Sequence, residues 1–288
     1  MTRAELIREL QARGIDHVYG RALSRATKAE LEQAWRTLSE GQIAPHLSLA
    51  QVRMYLRCGL QYWYRYVEGK KIPPRGSMVV GRAVHRALEH DFKTCLLEGL
   101  HEPVDVLADV YFETFKTEAP EAIWDKEKPE EAFKTGLLVL EEFAKGPMEV
   151  IVPEAVEEEF EVPLTHGMNL KGVIDLIEAR EGILDHKVVT RRMKPEDVVN
   201  DLQLAIYSHA KGIERVGMNS LVRKRNPEIQ LFRHVVPQGQ RNRAVNIFLY
   251  AAEGIFKRVF LPAPPGSWWC SPNWCGYWDL CHEELSTH

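Results

Sequence analysis

Apolar and polar positions follow two rhythms along this chain, and the change from one to the other outlines its organisation. A helical rhythm comes first. Thr2-Arg3-Ala4-Glu5 has the form of a capping box, and Leu6, Ile7 and Leu10 follow at helical spacing. Gly14 and Gly20 break that pattern before a second helix from Lys28 to Leu38, and Gly41 to Pro45 reads as a boundary. Ser48 caps a helix rich in aromatic and basic side chains, among them Arg53, Tyr55, Arg57, Tyr62, Trp63 and Arg65. After Pro73, Pro74 and Gly76, helical spacing resumes through Gly81 and His85 and continues to about Phe143. A strand rhythm then takes over: Ala155 to Leu164, Gly172 to Ile177 and Gly182 to Val189. A helix from Pro195 to Lys211, strands at Leu221–Lys224 and Ile229–Val236, and a last helix from Arg241 to Val259 complete the pattern. The order strand–strand–strand–helix–strand, with helices before it, predicts an α/β fold with a mixed sheet. Neither the Rossmann nor the P-loop glycine signature is present.

Two acids interrupt the apolar strands, Asp175 in Gly172-Val173-Ile174-Asp175-Leu176-Ile177 and Asp185 in Gly182-Ile183-Leu184-Asp185-His186-Lys187. A bare buried carboxylate is costly unless its charge is compensated. A hairpin about Ala179-Arg180-Glu181-Gly182 brings Asp175 and Asp185 roughly opposite each other, and Lys187, two residues on, shares the face of Asp185. Hard oxygen donors of this kind suit Mg2+ or Mn2+. On these three residues alone, a buried Asp–Lys ion pair without metal accounts for the pattern equally well.

Composition narrows the class. The chain has 288 residues, 45% hydrophobic and 27% charged, with a formal charge of −4. That describes a soluble globular protein, and a local basic groove remains compatible with the modest negative charge. No apolar run reaches the length of a membrane span, and Met1-Thr2-Arg3-Ala4-Glu5-Leu6 lacks a signal-peptide core, so a cytoplasmic location is expected in a bacterial cell, host- or phage-encoded. Five cysteines in a reducing compartment do not read as a disulfide framework. Cys58 and Cys95 are isolated, whereas Cys270, Cys275 and Cys281 cluster among Trp268, Trp269, Trp274, Tyr277 and Trp278.

Four motifs stand in order: Gly81-x-x-x-His85, Gly172-Val173-Ile174-Asp175, Asp185-x-Lys187 and Gln203-x-x-x-Tyr207. With the cysteines, they resemble the RecB-like branch of the PD-(D/E)XK nuclease superfamily, in particular the iron–sulfur exonucleases of CRISPR adaptation and of helicase–nuclease complexes. The resemblance covers residues 47–284 and implies a restriction-endonuclease-like core. It implies that His85, Asp175, Asp185 and the backbone carbonyl of His186 hold a Mg2+ or Mn2+ ion. Lys187 would position the attacking water or stabilise the transition state, and Gln203 and Tyr207 would hold the lysine and contact the scissile strand. Asp185 stands where the family accepts Asp or Glu. The family also places one cysteine before the core and three after it around a [4Fe–4S] cluster, which assigns Cys58, Cys270, Cys275 and Cys281 to that cofactor. Zinc on the same thiolates, with His282 as a substitute ligand, is the rival, and unliganded buried cysteines are a third reading.

The expected domains are a helical module over 1–45, which weakly resembles SAP-type DNA-binding modules, and a nuclease domain over 46–288. The latter carries a helical insertion at about 86–150 and a cluster-binding segment at 266–284. Arg191, Arg192, Lys194, Arg223, Lys224, Arg225, Arg241 and Arg243 are candidates for phosphate contacts, and aromatic side chains for stacking on unpaired bases. The function that follows is a metal-dependent DNA exonuclease acting on single strands or ends, in recombination, repair, CRISPR adaptation or phage DNA metabolism. A helicase, recombination or CRISPR-adaptation protein would be its partner, with no membrane and no set oligomeric state. The alternative is a catalytically weak DNA-binding or assembly subunit with a structural iron–sulfur or zinc site.

Overall fold

The computed structural model describes residues 1–12, 15, 17–18, 21–39, 46–124 and 127–286. The boundary expected at Gly41 to Pro45 and the breaks at Gly14 and Gly20 lie outside the described residues. The chain forms two compact units: unit 1 from Met1–Ile72, Glu161–Gly172 and Val245–His288, and unit 2 from Pro73–Phe160 and Val173–Ala244.

Unit 1 begins with α1 (Arg3–Gln11), the short strands β1 (His17–Val18) and β2 (Arg21–Ala22), and α2 (Lys28–Ser39). The Thr2 capping box forms as its sequence predicts, and Leu6, Leu10 and Leu31 are buried. After β3 (His46–Leu47), α3 (Leu49–Arg57) starts from a second capping box. Ser48 N–H donates to Gln51 Oε1 at 2.6 Å, and Gln51 N–H to Ser48 Oγ at 3.3 Å. Cys58 ends α3 and precedes α4 (Gly59–Tyr62). Gly59 lies so close to the returning chain that a Cβ there would sit 2.6 Å from Leu261 N, and its N–H donates to Leu261 O at 2.7 Å. Only glycine fits that approach.

Unit 2 holds α5 (Gly76–Glu98), α6 (Val104–Glu118), α7 (Pro129–Ala144), β4 (Pro153–Pro163), β5 (Asn169–Glu178), β6 (Gly182–Val189), α8 (Pro195–Val199), α9 (Leu202–Lys211), β7 (Arg215–Val222) and β8 (Glu228–Val235). Strands β4 and β5 also run on into unit 1, where Asn169 and Leu170 pair in parallel with β3. β5 and β6 are antiparallel, β6 and β7 parallel, and β7 and β8 antiparallel, which is the mixed sheet the pattern predicts. The core buries Val80, Val84 and Leu88 of α5, Tyr111 of α6 and Phe143 of α7 against Leu176, Leu184 and Leu221 of the sheet. Each such side chain contributes about 1.5–3 kcal/mol. α10 (Gln238–Phe256) links the units, and α11 (Trp278–Ser286) lies in unit 1.

Three boundaries differ from expectation. The helix expected over 195–211 is two helices, because Asp201 turns out of the helical path and its Oδ1 accepts from Gln203 N–H at 2.7 Å and Leu204 N–H at 3.1 Å, capping α9. The strand expected at Leu221–Lys224 is β7, Arg215–Val222. Gly217, Asn219 and Ser220 hide its apolar pattern, yet both its edges are paired and nearly all of it is buried. The last helix runs Gln238–Phe256 rather than Arg241–Val259, and Arg258 (φ 57°) lies past its end.

Candidate active site

The candidate site lies wholly in unit 2. β5 and β6 pair Leu176 with Leu184 and Ile177 with Ile183, about a turn that enters β6 at Gly182 (φ 83°). Asp175 and Asp185 are the next residues on their strands beyond the Leu176–Leu184 pair. Asp175 Oδ2 accepts from His186 N–H at 2.9 Å. Asp185 is fully buried. Its Oδ1 accepts from Gln203 Nε2 at 2.7 Å, and its Oδ2 lies 2.8 Å from Lys187 Nζ.

α9 supplies the support. Gln203 Oε1 accepts from Lys187 Nζ at 2.8 Å, while its Nε2 also donates to Tyr207 Oη at 2.8 Å. Tyr207 in turn donates to the Val173 carbonyl at 2.7 Å, which ties α9 back to β5 two residues before Asp175. Gln203 and Tyr207 lie one helical turn apart and both are buried. From α5, His85 Nδ1 comes within 3.5 Å of Asp175 Oδ2.

Strand alternation turns His186 the other way. Its ring stacks on Phe92, with centroids 5.5 Å apart, and meets Phe143 edge-on. Burial drives its pKa down to about 3, so the ring is neutral. Because the ring packs against Phe92 and Phe143, any ligand from His186 comes from its main chain. Burial raises the pKa of Asp185, and Lys187 pulls it back.

The donor chemistry fits a divalent cation. Among the described residues no three His, Cys, Asp or Glu side chains form a ready ligand cage. Mg2+, however, is usually held by one or two carboxylates and keeps several waters. Two neighbouring carboxylates, one of them fully buried with the Lys187 ammonium at 2.8 Å, offer such a seat.

The four candidate cluster cysteines all fall in unit 1, and all are free thiols. Cys58 and Cys275 are buried, and Gln61 Nε2 lies 3.2 Å from Cys275 Sγ. Burial raises the Cys270 thiol pKa, and the charges of Cys275 and Cys58 add to it. Burial likewise raises Cys281, reinforced by Cys58, Cys275 and Cys270. The sulfurs are thus near enough to oppose one another's ionisation. Cys95 stands apart in unit 2, with Sγ 3.7 Å from His101 Nε2. Trp268 and Trp274 are 67% and 57% exposed.

Two expected phosphate contacts are corrected. Arg223 is buried, with Nη2 2.7 Å from Glu127 Oε2, and Arg241 is buried against Glu214 at 2.9 Å. A guanidinium inside the protein needs a fixed acceptor, and these two already have one. Arg191, Lys194, Arg225 and Arg243 are exposed. Arg192 is exposed but pairs with Glu228, as does Lys224. Sequence reading also passed over Glu157 of β4, whose carboxyl lies in the field of Asp175 and His85. Within Glu157-Glu158-Glu159 nothing distinguishes it from a solvated acidic edge.

The family model for the PD-(D/E)XK nuclease superfamily matches residues 46–282. Among solved structures, a candidate exonuclease from Eubacterium rectale shares 14% identity over 89% of this chain and 93% of its own, with a TM-score of 0.55. At that identity the likeness concerns the fold. SSO0001, at 13% identity over 89% of this chain and 97% of its own, has a TM-score of 0.39 and carries no weight. No protein of curated function matches.

Proposed function

Because this chain belongs to the PD-(D/E)XK nuclease superfamily, we propose that it is a metal-dependent DNA exonuclease of the RecB-like branch, acting on single strands or DNA ends. The observation that carries the reading is the linked set Asp175, Asp185, Lys187, Gln203 and Tyr207. Four hydrogen bonds join Lys187, Asp185, Gln203, Tyr207 and the Val173 carbonyl into one network beside Asp175. An isolated structural Asp–Lys pair needs none of that support.

In this reading Asp175 and Asp185 would hold a Mg2+ or Mn2+ ion, with His85 and the His186 carbonyl completing the protein's share. A divalent cation there supplies Lewis acidity to the phosphate and lowers the pKa of a water. Lys187 is held with its ammonium at the carboxylate edge, where it can orient that water or offset charge growing on the phosphate oxygens. Gln203 fixes the lysine, and Tyr207 fixes Gln203. Arg191, Lys194, Arg225 and Arg243 are exposed cations available to the DNA backbone.

The domain reading is a helical module over 1–45 and a nuclease domain over 46–288, with the insertion at about 86–150 and the cluster segment at 266–284. In it, Cys58, Cys270, Cys275 and Cys281 hold a [4Fe–4S] cluster. Their shared unit, free state and mutual charge effects support that assignment. Recombination, repair, CRISPR adaptation or phage DNA metabolism is the setting, with a helicase or adaptation protein as partner.

The test is a nuclease assay on end-labelled single- and double-stranded DNA with Mn2+, Mg2+ or chelator. We expect metal-dependent release from ends that Lys187→Ala and Asp185→Ala each reduce by at least about a hundredfold. No cleavage by intact protein with either metal, or equal cleavage by both variants, defeats the proposal.

A further inference from the structure

Gln230 stands in the same row of the sheet as Lys187. β6 pairs Lys187 with Ser220 of β7, and β7 pairs Ser220 with Gln230 of β8. Residues paired across neighbouring strands project to one face, so these three side chains share the face of Asp185, over which α9 places Gln203. Two strand spacings separate Lys187 from Gln230, about 10 Å. The row is also joined laterally: Ser220 is buried, and its Oγ donates to Gln230 Oε1 at 3.4 Å.

From this position Gln230 grips a loop. Met193 lies in the segment that runs from the end of β6 to α8. Its N–H donates to Gln230 Oε1 at 2.8 Å, and its carbonyl accepts from Gln230 Nε2 at 3.1 Å. One side-chain amide thus satisfies both backbone groups of Met193, as a neighbouring strand would. Ionised glutamate lacks the donor for this, and methionine offers only a weak acceptor.

The loop so fixed, residues 190–194, starts three residues after Lys187, and its charges are sorted. Arg192 pairs with Glu228 at 2.8 Å, and Lys224 takes the other oxygen of Glu228 at 3.0 Å. Arg191 and Lys194 stay exposed. Glu228 therefore anchors one cation of the loop, while Gln230 sets the backbone from which the other two project. A loop pinned in this way holds its cations in place before a phosphate chain arrives, which lowers the ordering cost of binding.

We propose that Gln230 is a positioning residue for DNA. By holding Met193 it sets Arg191 and Lys194 on the phosphates of the strand that lies across Lys187. The proposal rests on the nuclease reading above.

Binding of a fluorescently labelled single-stranded oligonucleotide to the full chain, with chelator present and read by anisotropy across a salt series, tests it. Gln230→Met keeps the side-chain length and loses the clasp on Met193. It should weaken binding roughly three- to tenfold and reduce the salt slope by about one, as Arg191→Ala and Lys194→Ala should. Arg191→Ala should cost less in the Gln230→Met background than in the wild type, whereas Arg243→Ala, on α10, should cost the same in both. Wild-type affinity and slope in Gln230→Met, or full additivity with Arg191→Ala, overturns this inference, and binding by the wild type then leaves the nuclease reading standing. Lost additivity at Arg243 as well marks a general disturbance and overturns it too. A wild-type chain that binds no oligonucleotide at any salt overturns both.

Discussion

The amide of Gln203 is oriented by the chemistry of its neighbours. Lys187 Nζ can only donate and ionised Asp185 can only accept, so Oε1 faces the lysine and Nε2 faces the acid. A Glu at 203 would set a second carboxylate against Asp185. The companion histidine has a different consequence. His186 is neutral in the fold, with a pKa near 3 against an ordinary value of 6.5. A depressed pKa means that the unfolded chain takes up the proton first. Its contribution to stability is complete above about pH 6.5 and is lost as pH falls toward 3. Asp185, whose pKa is raised, works in the opposite sense over the carboxylate range. We expect His186→Leu, measured with chelator present, to lose melting temperature less steeply than the wild type between those limits. Parallel slopes would refute the neutral-histidine account. At this scale Asp175, Asp185 and Lys187 were legible because they interrupt apolar strands, whereas Gln203 and Tyr207 came from the family resemblance. Glu157 was not, since nothing within Glu157-Glu158-Glu159 sets it apart from a solvated acidic edge.

Among the elements, the short break between α8 and α9 does the most for the site. Asp201 caps α9 by accepting from the N–H of Gln203, so the same contact that starts the helix also fixes the backbone of the residue holding Lys187. Asp201→Ala should cost about 1 kcal/mol of stability and reduce turnover more than substrate binding. Unchanged turnover at lowered stability would show that the cap serves the fold alone. The continuous helix expected over 195–211 hid this break, because Val198, Val199 and Leu202 keep apolar spacing across it. β7 was foreshortened for a related reason. A strand paired on both edges buries its polar residues as well as its apolar ones, and Asn219 uses the opportunity by placing Nδ2 3.4 Å from His186 Nδ1.

Across the whole molecule, the site residues fall in one compact unit and the four cysteines in the other. Spacing along the chain could not have joined Cys58 to the distant C-terminal trio; the family resemblance did so, and all four belong to unit 1. Protein purified without oxygen should contain about four iron and four sulfide per chain. Cys275→Ser should remove both, together with the visible absorbance. Zinc in place of iron would replace the cluster with a thiolate zinc site, and neither metal would leave plain buried thiols.

Unit 2 is complete once Ala244 has been made, whereas unit 1 draws on three stretches of chain, the last beginning at Val245. Biosynthesis therefore supplies all the candidate site residues before the last three cysteines exist. At ordinary translation rates the interval is on the order of seconds. Throughout it, Cys58 and the helices around it wait for their partners, so loading of unit 1 with any metal can finish only after the ribosome has passed Cys281.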